Sequence, residues 1–428
     1  RAEALPADEN DDARLTIHLA LGELLTITAK YEKALEHLEH AHALAAAQHQ
    51  PSAQARVCRW FARINELRGN YPAAFEWIGK GLAVLNGAET AEAAELTLIG
   101  ALIHVRQGDY ETAAREGEAA RRMGNALSDQ RVLARANNLL GITRLRNNPS
   151  EAVTWFARAL ELYQQVGDVQ GQATANNLTA NAYFGLGQWA AAGEAYRQAR
   201  TSFGQLGDVY RATMALSNLA GVERNQGQLK QALENYSEAR QTFEKISASP
   251  AVRGVVEMNL GETHLQLNNI PLAEQHLGAA RRLFEQTKSR DFLPELHRHL
   301  ARAALFSLRT DEAKAEVQQA LSLAQELNMK NEQGAAWRVQ GEIALSQREA
   351  TSALESLTTS ESLLAEVADD YELARTRVLL GRALAQLNRL TEARAAFDAA
   401  ITTFTRLEAK NDLLVAQILR SQLNEISS

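Results

Sequence analysis

Alanine recurs along this 428-residue chain with a period of about forty, and no other feature constrains the fold as strongly. The series is Ala34, Ala74, Ala113, Ala152, Ala192, Ala232, Ala273, Ala313, Ala353 and Ala393. Seven residues after each stands a second small residue, from Ala41 and Gly81 to Ser360 and Ala400. A third small column lies twelve residues before the first, or eleven in the fourth repeat, and includes Gly22, Ala62, Gly141, Gly261, Gly341 and Gly381. Small residues let two helix backbones approach closely while larger neighbours fill the space around them. Three registered columns, repeated ten times, predict a helical solenoid in which each unit packs on its neighbours.

The chain must turn twice per period, once tightly within each hairpin and once between hairpins. The tight turn reads Gly69-Asn70-Tyr71-Pro72, Gly108-Asp109-Tyr110, Gly187-Gln188-Trp189, Gly227-Gln228-Leu229, Asn268-Asn269-Ile270-Pro271 and Asn388-Arg389-Leu390. Gly or Asn past a helix end supplies a left-handed residue. Pro72 and Pro271 suit the first turn of the next helix, where a missing N–H costs little. Each unit is therefore helix A, a tight turn, helix B and a loop. The fourth turn, Asn147-Asn148-Pro149-Ser150, is one residue shorter and is expected to be tighter. All seven prolines fall in the tail, in turns or between repeats, and none interrupts a proposed helix, where it would cost about 3 kcal/mol.

The runs Leu260-Gly261, Asn268-Asn269-Ile270, Ala273, Ala280 and Leu380-Gly381, Asn388-Arg389-Leu390, Ala393, Ala400 resemble tetratricopeptide repeats. The resemblance extends from about Asp11 to Ala409. The family's usual period is about 34. The longer period is similar to the variants in kinesin light chain and in the sensor arms of bacterial STAND signalling ATPases. The resemblance implies an all-α right-handed α-α superhelix of ten helical hairpins plus a C-terminal capping helix, with helices A on the concave face. Residues 1–10 read as an N-terminal tail, 11–410 as ten repeats in one solenoid, and 411–428 as the capping helix.

Composition narrows the partners. Net charge is −7 with no Lys/Arg run, which disfavours nucleic acid. No stretch approaches the roughly 18 apolar residues of a membrane span. No signal peptide is visible, and the expected location is cytoplasmic. The one cysteine, Cys58, excludes an internal disulfide and reads as a small core hydrophobe. The chain opens on Arg1 rather than Met, as expected of a piece of something longer.

No catalytic or cofactor motif is present. Gly79-Lys80 lacks the upstream glycine of a phosphate-binding loop, and HExxH, CxxC and GxSxG are absent. His37 and His40, three apart on one helix, offer a metal two ligands but no rigid third. His297 and His299 are two apart and point different ways. The expectation is a non-enzyme that needs no cofactor or metal.

The informative polar residues lie on helices A. With the third column as position 8, the positions expected to face the groove hold Arg135, Asn138, Asn177, Asn181, Asn218, Arg224, Asn259, Arg298 and Arg302. Asparagine forms helices poorly, so a run of it on one face needs a reason. Its amide donates and accepts at once and can hold a peptide backbone. Arginine supplies a forked donor for carboxylates. The same residues could instead cross-link adjacent helices or face water. In the family's carboxylate clamp, Asn181 and Asn218 match the two asparagines, but Asn177, Val255 and Asn259 stand where cationic residues belong. Capture of a chaperone-type C-terminal carboxylate is therefore not expected.

The expected function is a protein- or peptide-binding scaffold, the interaction arm of a larger bacterial regulator. It would hold an acidic or neutral extended segment in the groove. The alternative is a small-molecule effector-sensing arm of a transcriptional activator or STAND ATPase. An aromatic-lined closed cavity would favour that alternative. Self-association as a scaffold is a third reading.

Overall fold

The computed structural model describes residues 11–28, 30–145, 148–287 and 290–427. The expected tail, 1–10, and Asn147 of the fourth turn lie outside the described residues. Among those described, the chain forms 21 α-helices and no strand. The hairpins are α1 (Asp11–Ile27) with α2 (Tyr31–Ala47), α3 (Pro51–Leu67) with α4 (Tyr71–Leu85), α5 (Ala91–Arg106) with α6 (Tyr110–Leu127) and α7 (Gln130–Arg144) with α8 (Pro149–Gln165), and α9 (Val169–Gly185) and α10 (Trp189–Gln205) come next in the chain. Five more follow: α11 (Val209–Asn225) with α12 (Leu229–Lys245), α13 (Pro250–Gln266) with α14 (Ile270–Thr287), α15 (Leu293–Phe306) with α16 (Thr310–Glu326), α17 (Lys330–Ser346) with α18 (Ala350–Glu366), and α19 (Asp370–Gln386) with α20 (Leu390–Leu407). The last helix is α21 (Lys410–Ser427).

Local chemistry sets the boundaries. Gly69, Gly108, Gly187, Gly227, Asn268 and Asn388 all have φ between 55° and 82°, the left-handed turn expected of them. Pro51, Pro72, Pro149, Pro250, Pro271 and Pro294 each occupy the first or second residue of a helix, where proline is tolerated. Thr90, Asp109, Asp129, Asn148, Asp208 and Asp369 cap the helices that follow by accepting from backbone N–H groups.

The three small columns have one packing explanation. A Cβ placed on Gly22 would lie 2.6 Å from Leu38, on Gly141 2.3 Å from Phe156, and on Gly381 2.7 Å from Phe397. In each case the large partner stands four residues after the first-column alanine of helix B. That alanine is itself fully buried at Ala34, Ala152 and Ala393. Helix B thus drives one large side chain into the hole that helix A leaves open.

The chain divides into two compact units, residues 1–182 and 183–428. In unit 1, α1, α3, α5 and α7 touch one another in succession. In unit 2, the same holds for α11, α13, α15, α17, α19 and α21. Even-numbered helices make no comparable contact with each other. Stacks that crowd one helix of each hairpin and splay the other are curved, so helices A line the inner face of each unit.

Unit 2 also closes on itself. The Trp189 ring meets Tyr371 edge-on at 5.1 Å, and Tyr371 Oη donates to Asp412 at 2.9 Å. Asn411 Nδ2 donates to the Gly227 carbonyl at 3.4 Å. A Cβ on Gly187 would lie 2.3 Å from Leu407, so glycine serves there both the left-handed turn and the approach. The starts of α10 and α12 therefore rest on α19, α20 and α21. The outer side of α21 is not polar throughout: Leu414, Val415 and Ile418 are exposed on it.

Candidate functional site

The inner faces carry a ladder of arginines and glutamates, and it differs between the units. In unit 1, arginines reach back one repeat. Arg56 meets Glu23 at 2.7 Å, Arg106 meets the fully buried Glu66 at 2.6 Å, and Arg135 meets Glu95 at 2.6 Å. Glu66 also accepts from Arg63 at 2.6 Å. In unit 2 they reach forward. Arg224 pairs with Glu262, Arg298 with Glu332 at 3.3 Å, Arg302 with Glu342 at 3.1 Å, and Arg338 with Glu372 at 2.6 Å. Arg375 joins Glu372 at 2.8 Å. All five of these unit 2 arginines are largely or wholly buried.

Burial and pairing compete here. Burial alone would raise the Glu262 carboxyl, but Arg224, with His299, Arg375 and Arg298, holds it at about 2. Glu372 is likewise kept well below the usual carboxylate range against its burial, by Arg338 and Arg375. For Glu332 burial wins over Arg298 and lifts the group to about 7. Burial and the Glu372 carboxylate lift Asp369 to about 6. Arg338, under 3% exposed, is lowered to about 10 by burial.

The asparagines behave differently. Asn138 on α7 is buried. Its Nδ2 donates to Tyr163 Oη at 3.3 Å, while its Oδ1 has no hydrogen-bond partner. Asn177 on α9 is half-buried, and its Oδ1 is enclosed and also unpartnered. Asn181 and Asn218 are half-buried on α9 and α11. Asn259 accepts from Arg224 Nη1 at 2.9 Å and so belongs to the ion-pair ladder. Arg298 and Arg302 each keep Nη1 buried without a partner.

Within unit 1, then, Arg135, Asn138, Asn177 and Asn181 lie on A helices. Within unit 2, Asn218, Arg224, Asn259, Arg298 and Arg302 do. The sequence reading missed the carboxylates that receive the arginines: Glu95, Glu295, Glu332, Glu342 and Glu372. A signal was present. Glu95 and Glu342 stand one period from Arg135 and Arg302, in the same position of the neighbouring repeat. Arg298–Glu332 and Arg338–Glu372 repeat one spacing of 34.

Glu262, Glu295 and His299 bring three ligand atoms within 4.8 Å of one another. His299 is fully buried, with Nε2 3.5 Å from Glu295 and 3.8 Å from Glu262. Burial lowers its basicity, which favours the neutral ring. Arg224 and Arg298 already neutralise the two carboxylates, so a dication would add uncompensated buried charge. This group reads as part of the ladder. His297, by contrast, faces away and meets Glu316 at 2.6 Å. Among the described residues no helix is long and apolar enough to cross a membrane. A surface depression between α18, α19 and α20 is lined by Leu354, Glu361, Arg377, Leu384, Arg389 and neighbours, with no aromatic side chain.

Residues 210–286 and 358–406 match the tetratricopeptide repeat family. A comparison with curated protein sequences finds no match. Solved structures share the architecture at low identity. One is a Rap protein complexed with competence and sporulation factor, 15% identical, covering 78% of this chain and 98% of its own, with a TM-score of 0.55. Another is aspartyl phosphate phosphatase F from Bacillus subtilis, at 13%, 81%, 93% and 0.55. A third is a STAND ATPase with a tetratricopeptide repeat sensor from Pyrococcus horikoshii, at 12%, 80%, 54% and 0.56. At these identities the likeness is one of fold, which does not carry function with it.

Proposed function

We propose that this tetratricopeptide-repeat chain is a binding module: the cytoplasmic interaction arm of a larger bacterial signalling regulator, which holds an extended protein segment against its A helices. The carrying observation is the pair of enclosed amide oxygens, Asn138 Oδ1 and Asn177 Oδ1, that lack hydrogen-bond partners in unit 1. A buried acceptor left unpaired costs about 1–3 kcal/mol. Once these side chains turn outward, a backbone N–H from an incoming segment relieves that cost and the asparagine Nδ2 groups meet its carbonyls. Asn181 extends the same face. In unit 2 the corresponding set is Asn218 and Asn259, with Arg224, Arg298 and Arg302.

The arginines support acidic segments less than the asparagines support backbone. Arg135, Arg224, Arg298 and Arg302 already hold the chain's own glutamates. The unpartnered Nη1 atoms of Arg298 and Arg302 are buried, so they add little for a partner's carboxylate. The aromatic-free depression gives the small-molecule alternative no support. No constellation described above supplies a nucleophile with its base, so binding rather than catalysis is the reading.

The test is an array of 12-residue peptides probed with the wild-type chain and with Asn138→Ala, Asn177→Ala. Losing two amide contacts at about 0.5–1.5 kcal/mol each weakens binding roughly five- to 150-fold. Equal capture of the same peptides by both proteins sinks the proposal.

A further inference from the structure

The first hairpin gathers three histidines that the binding reading does not use. His37 and His40 stand one turn apart on α2, and the sequence gives them no third ligand. The structure supplies one from the neighbouring helix. His18 on α1 brings its ring centroid to 5.2 Å from His37 and 5.0 Å from His40. Its Nδ1 lies 3.0 Å from His37 Nδ1.

We propose that His18, His37 and His40 form a binding site for a zinc-class divalent transition-metal ion, which staples α1 to α2. Zn–N bonds of about 2.0–2.1 Å at tetrahedral angles set two ligand nitrogens about 3.3 Å apart. The two Nδ1 atoms already stand close to that separation and face each other. Without metal, one ring donates its N–H to the other. With metal, the donor ring carries its proton on Nε2 instead of Nδ1, so both Nδ1 lone pairs bind the ion and no net proton is lost. His18, His37 and His40 do not hold three ligand atoms within 4.8 Å of one another as placed, and the exposed His40 side chain completes the set by turning about its χ angles. A solvent water takes the fourth position. Imidazole nitrogen suits zinc, copper and nickel ions and not calcium or magnesium.

The place gives the site a use. α1 is the outermost described helix of the array and packs only toward α2 and α3. A helix with few packing neighbours opens more readily than one packed on both sides. A bond between α1 and α2 through metal raises the protection of α1.

The experiment titrates the full chain with Zn2+ by calorimetry and follows backbone hydrogen exchange over residues 11–47. Three variants accompany it: His18→Ala, His37→Ala and, as a control for an exposed histidine off the cluster, His49→Gln. The expected result is one Zn2+ per chain at micromolar concentration. Affinity should fall at least tenfold in His18→Ala and His37→Ala and stay unchanged in His49→Gln. Zinc should slow exchange in α1 in the wild type and in His49→Gln, and not in His18→Ala or His37→Ala. Circular dichroism establishes that each variant is folded. No binding up to 100-fold excess Zn2+, or equal binding by folded His18→Ala, overturns the site.

Discussion

Replacing Glu372 by Gln tests whether the inner ladder of unit 2 holds the fold. Glu372 on α19 takes Arg338 from α17 at 2.6 Å and Arg375 at 2.8 Å. The substitution keeps shape and volume but leaves two arginines, one of them under 3% exposed, without their anion. Removing one member of a buried pair costs about 3–5 kcal/mol. For a unit of this size that lowers Tm by roughly 6–20 °C. The companion Glu366→Gln loses the exposed Lys330–Glu366 pair, whose side chains are both about half exposed. It should cost no more than about 1 kcal/mol. Urea denaturation followed by circular dichroism, with unit 2 read separately by hydrogen exchange, gives both numbers. A cycle with Arg338→Met isolates the pair, and its coupling should reach at least about 1 kcal/mol. If Glu372→Gln costs no more than Glu366→Gln, the ladder is ornament and the reasoning about buried charge in unit 2 is wrong.

Ala232 is fully buried between α11 and α12. Ala232→Leu should cost about 1–3 kcal/mol by overpacking despite leucine's good helix propensity, and an unchanged melt would refute the crossing. Leu308 is 89% exposed at φ 60°. Leu308→Gly should stabilise the chain by a few tenths to about 1 kcal/mol by relieving left-handed strain, and a lower Tm would count against it. Asp369 is raised from 3.8 to about 6 by burial and Glu372, so the folded state holds its proton more tightly than the unfolded chain does. Its favourable contribution is full below about pH 4 and is lost as pH rises through 6. Asp369→Asn keeps the cap and cannot ionise. It should therefore raise Tm relative to wild type at pH 8 more than at pH 5, and an equal shift at both would contradict the assignment.

The fold was legible because its cause is periodic. Gly141 and Phe156, or Gly381 and Phe397, recur as a hole and a knob at fixed spacing, so ten copies disclose one packing rule. The left-handed turn at Gly187 was legible too. Its approach to Leu407 was not, because closure of unit 2 joins residues over 200 apart in sequence with no periodic signal. Of the candidate site, the sequence indicates which helix carries each residue: Arg298 and Arg302 stand on α15. Whether an arginine waits for a ligand or meets Glu332 or Glu342 depends on side-chain reach across helices, which residue type alone does not encode. His18 shows the same limit. It sits 19 residues from His37, and only the hairpin brings them together.

The most direct measurement is hydrogen exchange of the full chain with and without the tightest-binding peptide from the array. If the A helices hold the segment, exchange slows in α7 and in residues 169–182 of α9, and α8 is unchanged. Protection confined to even-numbered helices, or to the exposed side of α21, would contradict binding on the inner face.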